Sequence, residues 1–282
     1  MDVIFDIGGT KIKYIVVDEK DQIIAERTEP SQQKNPLFLI KEVLLEAKSQ
    51  YNIKKVYYSV AGQVWNNKVI NSPNLGQLDN VNLRDFTHKI LNDKAVEVKA
   101  ANDANCFALG SYFVVSSSIP HLLNSYLVGI VWGTGVGSGI IINKKALEGK
   151  NGTAGELGHI KLNHHYKCGC GKTGCLEGAI GGKNLEKRLG IDAKNLIEQH
   201  LRLFENETLN WLSQGLEKII HLLNPAVITF GGSIGENLPE RYVEKLINKT
   251  QQLLSFNIDF PRIIPVNTQT AVIKGCKHYE KL

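Results

Sequence analysis

Apolar positions follow two rhythms along the chain, and the alternation of those rhythms is the first evidence about its fold. Val3–Phe5, Ile12–Val17 and Ile23–Arg27 are short runs rich in β-branched and aromatic residues. The polar turn Asp18-Glu19-Lys20-Asp21 separates the last two, so the spacing predicts an antiparallel meander of three strands. Leu37–Lys48 changes the period, with Leu37, Ile40, Leu44 and Ala47 at helical spacing. Strands follow at Val56–Val60, ending at Ala61-Gly62, and at Val96–Ala100, which leads into Asn102-Asp103 and a helix from about Asn105. Three strands followed by alternating helix and strand predict an α/β fold with a mixed sheet.

The second half partly repeats this plan. Tyr126–Val131 runs into a glycine loop, and Gly139–Asn143 is the return strand. Thr208–Leu223 carries Leu209, Leu212, Leu216, Ile219, Ile220 and Leu223 on one stripe, and Pro225 ends the helix. Val227–Phe230 then reads as a buried strand before another glycine loop. Arg241–Leu254 is helical by pattern, and Thr270 is placed to cap a last helix from Ala271 to Tyr279. No proline- or serine-rich linker divides the halves. The expected organisation is a smaller domain over residues 1–105 and a larger one over 106–269, packed around a cleft, with the helix at 270–282 returning to the first.

Composition narrows the setting. The 282 residues are 43% hydrophobic and 22% charged, enough for two cores. The net charge of +5 is spread over scattered basic residues with no run, so no nucleic-acid partner is expected. No apolar stretch approaches the ~20 residues that span a bilayer, and the N-terminus has no signal-peptide pattern. The expected setting is cytoplasmic, with no membrane partner. There the glycosylation-like triplets at Asn151, Asn206 and Asn248 carry no meaning, and clustered cysteines favour metal or catalysis over disulfides.

Three of the five cysteines fall in one stretch, Cys168-Gly169-Cys170-Gly171-Lys172-Thr173-Gly174-Cys175. Glycines between thiols let a short loop aim all three sulfurs at one centre, as a tetrahedral Zn²⁺ requires. By position alone the fourth ligand could be His159, His164 or His165. Three glycine loops, each after a strand, are suited to phosphate: Asp6-Ile7-Gly8-Gly9-Thr10-Lys11, Gly133-Thr134-Gly135-Val136-Gly137-Ser138-Gly139 and Gly231-Gly232-Ser233-Ile234-Gly235. One such loop is usually a plain turn; three together, with Thr or Ser hydroxyls alongside, point to a triphosphate. The central loop lacks the dinucleotide fingerprint, and Gly171-Lys172-Thr173 lacks the first glycine of a P-loop, where Tyr166 stands.

These blocks, together with Asn102-Asp103-Ala104-Asn105 and Gly155-Glu156-Leu157-Gly158-His159, occur in an order that closely resembles the ROK family of bacterial sugar kinases and repressors. The resemblance covers nearly the whole chain. It implies two ribonuclease-H-like domains of the actin- and hexokinase-like ATPase type, with mixed sheets flanking a sugar-binding cleft. It also implies transfer of the γ-phosphoryl of ATP to a sugar hydroxyl, usually that on carbon six. By the family motif, Asp103 is the general base. Gly62, Asn74, Asn102, Glu156, His159 and Glu177 hold the sugar. Asp6 organises Mg²⁺ through water. Gly8, Gly9, Thr10, Lys11, Gly133, Thr134 and Gly135 serve the phosphates, and Gly231 and Gly232 border the adenosine. The resemblance makes His159 the zinc ligand beside Cys168, Cys170 and Cys175, a closed structural site, and leaves His164 and His165 as exposed loop residues. Cys106 and Cys276 are expected to be buried packing residues.

The sugar is expected to be glucose or an N-acetylhexosamine such as N-acetylmannosamine, with a β-glucoside as the less favoured choice, in a homodimer or homotetramer. A repressor of this family carries a helix-turn-helix domain before the first strand, and this chain starts that strand at residue 3; a sugar sensor without DNA binding is the remaining non-enzyme reading. The block around Glu156 and His159 argues against an ATPase that moves rather than phosphorylates. The sequence departs from the family where an acidic residue often stands about eight positions beyond the aspartate: here Gly110-Ser111 occurs instead.

Overall fold

The computed structural model describes residues 1–31, 34–119 and 125–282. The chain begins with β1 (Asp2–Ile7), β2 (Lys11–Val17) and β3 (Ile23–Pro30), then α1 (Pro36–Gln50), β4 (Lys55–Val60), the hairpin β5 (Gln63–Trp65) and β6 (Lys68–Asn71), α2 (Leu83–Leu91), β7 (Glu97–Asn102) and α3 (Asp103–Ser116). The second half runs β8 (Leu127–Trp132), β9 (Val136–Ile142), β10 (Lys145–Ala146), α4 (Leu176–Ile180), α5 (Gly182–Leu189), α6 (Ala193–Gln199), α7 (Leu201–Leu223), β11 (Val227–Gly231), α8 (Gly232–Gly235), α9 (Glu240–Gln251), β12 (Arg262–Pro265) and α10 (Thr268–Lys277). None of the described helices is long and apolar enough to cross a membrane.

Two five-stranded mixed sheets share one plan. The first has the order β3-β2-β1-β4-β7 and the second β10-β9-β8-β11-β12. In each, three antiparallel strands are followed by two parallel ones. The meander and the α/β alternation expected from the pattern are therefore present twice. Asn82 caps α2 by accepting from Arg84 N at 3.0 Å and Asp85 N at 3.2 Å. The last helix starts earlier than its pattern indicates: Asn267, not Thr270, is the cap, accepting from Thr270 N at 3.0 Å. The long helix α7 likewise begins at Leu201 rather than Thr208.

Each sheet has an apolar core of its own, and a third core joins them. Ile4, Ile15 and Tyr57 from the first sheet meet Phe107 and Leu109 of α3, Ile141 and Val227 of the second sheet, and Ala271 and Val272 of α10. Full burial of such side chains stabilises by about 1.5–3 kcal/mol each. Helix α3 follows β7 in sequence but packs on β8 and β9, while α10 lies along α3 and reaches β1 and β4. Chain crossover thus ties the halves together.

The α3–α10 contact is made by backbone. A Cβ on Gly110 would lie 1.6 Å from Ala271 O, and one on Gly275 would lie 1.8 Å from Cys106 O. No side chain fits at Gly110; the position eight beyond Asp103 is the next residue, Ser111. The neighbouring Ser111 is fully buried. Cys106 and Cys276 are both buried at this crossing, as expected of packing residues.

Gly275→Ala must push α3 and α10 apart. We expect it to cost about 3 kcal/mol and to lower the melting temperature by roughly 6–12 °C. Unchanged melting would contradict the backbone contact.

Candidate active site

The three glycine loops converge. The first is a tight turn between β1 and β2, closed by Gly8 N donating to Lys11 O at 2.9 Å. Ser31 supports it, its Oγ donating to Gly9 O at 2.8 Å. The second joins β8 to β9, and the third follows β11. Thr10 Oγ1 lies 3.4 Å from Thr134 Oγ1, so the first two loops meet across the halves. A Cβ on Gly133 would lie 3.3 Å from Ser233 Oγ, which puts the third loop beside the second. Gly231 lies flat on Phe107, where a Cβ would come within 2.2 Å of the ring, and Gly232 takes φ +82° over the Trp132 carbonyl. The Lys11 side chain is exposed; its contribution to the turn is its carbonyl. Loops of this kind present backbone N–H groups to anions.

Carboxylates gather at the same place. Asp6 is near the end of β1, and its Oδ1 accepts from Ser59 Oγ on β4 at 2.9 Å. Burial raises its pKa, while the Ser59 bond and the charge of Lys13 oppose the rise. Asp103 is the first residue of α3, directly after β7, with Oδ1 accepting from Ala104 N at 2.9 Å. Its pKa is pushed up to about 7, first by burial and then by the nearby charges of Asp6 and Glu156. Glu156 keeps exposed surface, but desolvation of its carboxyl and the neighbouring Glu177 raise its pKa as well. Lys13 and His159 offset part of this negative charge. The cluster suits a divalent cation and a proton acceptor.

The other predicted sugar-side residues line the same region. Asn102 caps α3, its Oδ1 accepting from Asn105 N at 3.1 Å, and its Nδ2 donates to Gly62 O at 3.0 Å. It is thus a helix cap as well as a candidate sugar ligand, with one amide hydrogen left over. Asn74 packs on Gly9; a Cβ there would meet its Nδ2 at 2.7 Å. Glu177, on α4, accepts from Val136 N at 3.1 Å through Oε2 and from the Cys168 thiol at 3.1 Å through Oε1. It therefore joins the second glycine loop to the cysteine loop.

The cysteine loop folds as a knuckle. Cys168 N donates to Lys172 O at 2.8 Å, and Gly171 and Gly174 take φ +83° and +78°. The ligand atoms of His159, Cys168, Cys170 and Cys175 all lie within 4.8 Å of one another. Cys168 Sγ to His159 Nδ1 is 3.6 Å and Cys170 Sγ to Cys175 Sγ is 3.7 Å. Two ligands bound at ~2.3 Å to one tetrahedral ion lie about 3.8 Å apart, so the donor set fits a metal such as Zn²⁺. Lys161 adds positive charge, its Nζ donating to Cys175 Sγ at 3.1 Å. His165 is exposed as expected, but His164 is not a free loop residue. Its ring stands 4.9 Å from Trp211 and 5.1 Å from Tyr166, and Nδ1 accepts from Tyr166 N at 3.1 Å. These aromatic contacts half-bury it and seat the knuckle on α7.

Two supporting groups lay outside the sequence reading. Thr268 Oγ1 accepts from Gly232 N at 2.7 Å and donates to Glu236 Oε2 at 2.8 Å, which braces the third loop against α10. Ser59 holds Asp6. A polar residue inside the buried run Val56–Val60 was a readable signal for Ser59; nothing marked Thr268.

Known proteins give the same arrangement a family context. The sequence model of the ROK family matches residues 3–272. The N-acetyl-D-glucosamine kinase of Mannheimia succiniciproducens is 30% identical over 82% of this chain and 83% of its own length. The N-acetylmannosamine kinase of Salmonella typhi is 27% identical over 86% and 85%. Among solved structures, a ROK family glucokinase from Streptomyces griseus, determined with glucose and AMPPNP, superposes with a TM-score of 0.80 at 23% identity over 98% of both chains.

The raised pKa of Asp103 has a stability consequence. Its folded value of about 7 lies above the ordinary 3.8. Folding therefore favours the protonated acid, and the stability it lends is lost as pH rises from about 4 to 7. Asp103→Asn, neutral throughout, should match the parent near pH 4 and be more stable at pH 8, by up to about 4 kcal/mol. Denaturant melts at both pH values check this, and a variant less stable at pH 8 would contradict it.

Proposed function

The chain belongs to the ROK family, and from that premise we propose that it transfers the γ-phosphoryl group of ATP to the 6-hydroxyl of a hexose or N-acetylhexosamine. The observation that carries this reading is Asp103, half-buried at the start of α3 beside Asp6 and Glu156, where the three glycine loops meet. Glucose and N-acetylated hexoses are favoured because the matched relatives bear those kinase names.

The halves 1–105 and 106–269 would close on the two substrates. Backbone N–H groups of Gly8, Gly9, Thr10, Gly133, Thr134 and Gly135 would cradle the phosphates, and Gly231 and Gly232 would border the adenosine. Mg²⁺, organised by Asp6 through water, would neutralise phosphate charge during transfer. Gly62, Asn74, Asn102, Glu156, His159 and Glu177 would fix the sugar so that its 6-hydroxyl faces Asp103. Asp103 accepts the hydroxyl proton as the sugar oxygen bonds to phosphorus and the bond to ADP breaks. An alcohol is far too weak an acid to ionise first, so proton transfer is late and positioning contributes the larger share. A pKa near 7 leaves Asp103 ready to accept at neutral pH.

His159, Cys168, Cys170 and Cys175 would hold a structural Zn²⁺ whose coordination leaves no open position. The ion would fix His159 and, through the Cys168–Glu177 contact, the wall on which the sugar rests.

Three outcomes test the reading. Asp103→Asn should still bind sugar but lose about 10²–10⁴-fold in kcat, and the parent should lose kcat/KM as pH falls below about 7. Near-parental turnover in the variant, measured by coupled ADP release, would remove Asp103 from the base role. Chelation of zinc should raise the KM for sugar more than that for ATP; an unchanged sugar KM would sever the link between knuckle and pocket.

A further inference from the structure

The carboxylate of Glu156 is aimed by its backbone. Glu156 has φ −73° and ψ 58°, and Leu157 N donates to Gly155 O at 2.7 Å across it. This is an inverse γ-turn, closed by a hydrogen bond between residues two apart. One such bond leaves the central residue free to relax into neighbouring backbone conformations.

A side chain of the second sheet holds the turn. Ser138, on β9, is buried. Its hydroxyl donates to Gly155 O and accepts from Leu157 N at 3.3 Å, so it touches both ends of the hydrogen bond that spans Glu156. A serine hydroxyl has one proton to give and lone pairs to receive with, and both kinds of bond are made here.

The turn also lies against the backbone of that strand. Gly155, at φ +85°, would put a Cβ 3.1 Å from Ser138 O, and Gly158 would put one 2.0 Å from Val136 O. Val136 N in turn donates to Glu177 Oε2 at 3.1 Å. Val136 and Ser138 are two residues apart on β9, a rise of about 6–7 Å. One strand therefore holds both candidate sugar carboxylates, Glu177 through a backbone N–H and Glu156 through the Ser138 hydroxyl. Hydrogen bonds from a sugar hydroxyl to an oxygen form over about 2.5–3.0 Å, so a carboxylate that drifts by ~1 Å loses them.

We propose that Ser138 is a positioning residue of the sugar site: its hydroxyl locks the turn at Glu156 and so sets where that carboxylate stands relative to Glu177. This role rests on Glu156 being a sugar ligand, as the proposed function has it. Ser138 acts through main-chain atoms. Its loss should therefore loosen the sugar wall and leave the phosphate loops as they are.

The test is a double-mutant cycle on the full chain. Binding of N-acetyl-D-glucosamine and of glucose is read by calorimetry, and turnover by coupled ADP release. For the sugar that the parent binds more tightly, Ser138→Ala should weaken binding about tenfold and raise KM in step, with the KM for ATP unchanged. Ser138→Thr, which keeps the hydroxyl, should stay close to the parent. In a Glu156→Ala background, Ser138→Ala should cost little further affinity, because the group it positions is gone. Unchanged sugar affinity in Ser138→Ala, even with a lower melting temperature, overturns the proposal. So does a tenfold loss that persists when Glu156 is already alanine. A parent that binds sugar but releases no ADP defeats the kinase reading, while the binding cycle still decides on Ser138. A parent that binds neither sugar removes the role of Ser138 along with that of Glu156.

Discussion

The distance between two helix backbones governs much of this molecule. Gly110 and Gly275 let α3 and α10 touch main chain to main chain. Helix α3 carries Asp103 at its first turn and lies on the second sheet, whereas α10 reaches the first sheet and begins beside the third glycine loop. One contact therefore sets where the candidate base stands relative to both halves. Core interiors are packed like organic crystals and transmit small shifts rather than absorbing them. A spacing fixed by backbone is stiffer than one fixed by flexible side chains, and stiffness is useful where catalysis depends on placement to within ~0.5 Å.

Electrostatic tension is the complement of that rigidity. Asp6, Asp103 and Glu156 each have a raised pKa, with burial as the leading cause. Like charges held close together with little water around them oppose folding, least so at Glu156, which keeps exposed surface. The cysteine knuckle, the Thr268–Glu236 brace and the apolar cores supply the structure that holds them there.

The frame of the molecule was legible wherever local chemistry and long-range packing agree. The β-branched runs and the glycine turns that follow them are such places, and the eight strands expected there are present, whereas the short strands β5, β6, β10 and β12 carry no such run and went unread. Disagreement arose where a residue's partner is distant in sequence. The helical stripe was read only from Thr208 onward, yet α7 begins earlier and Glu205 is buried in it, where Lys245 reaches its Oε2 at 2.6 Å and Arg241 its Oε1 at 3.4 Å. His164 reads as loop until Trp211 is brought beside it. At Asn102-Asp103 the cap and the candidate site coincide. The residue type that ends a strand and opens a helix is also one that binds hydroxyls, so the sequence alone could not separate the two roles.

The shared strand order of the two sheets has a consequence for ancestry. Each sheet places a glycine turn between its first two strands, Gly8-Gly9 in one and Gly133–Gly135 in the other. Each also ends its first parallel neighbour on a glycine, Gly62 after β4 and Gly231 at the close of β11. Such a correspondence is what duplication of a single half-size unit produces. The two copies differ most between β10 and α7, where the second carries the knuckle, α4, α5 and α6, whereas in the first β3 is followed directly by α1.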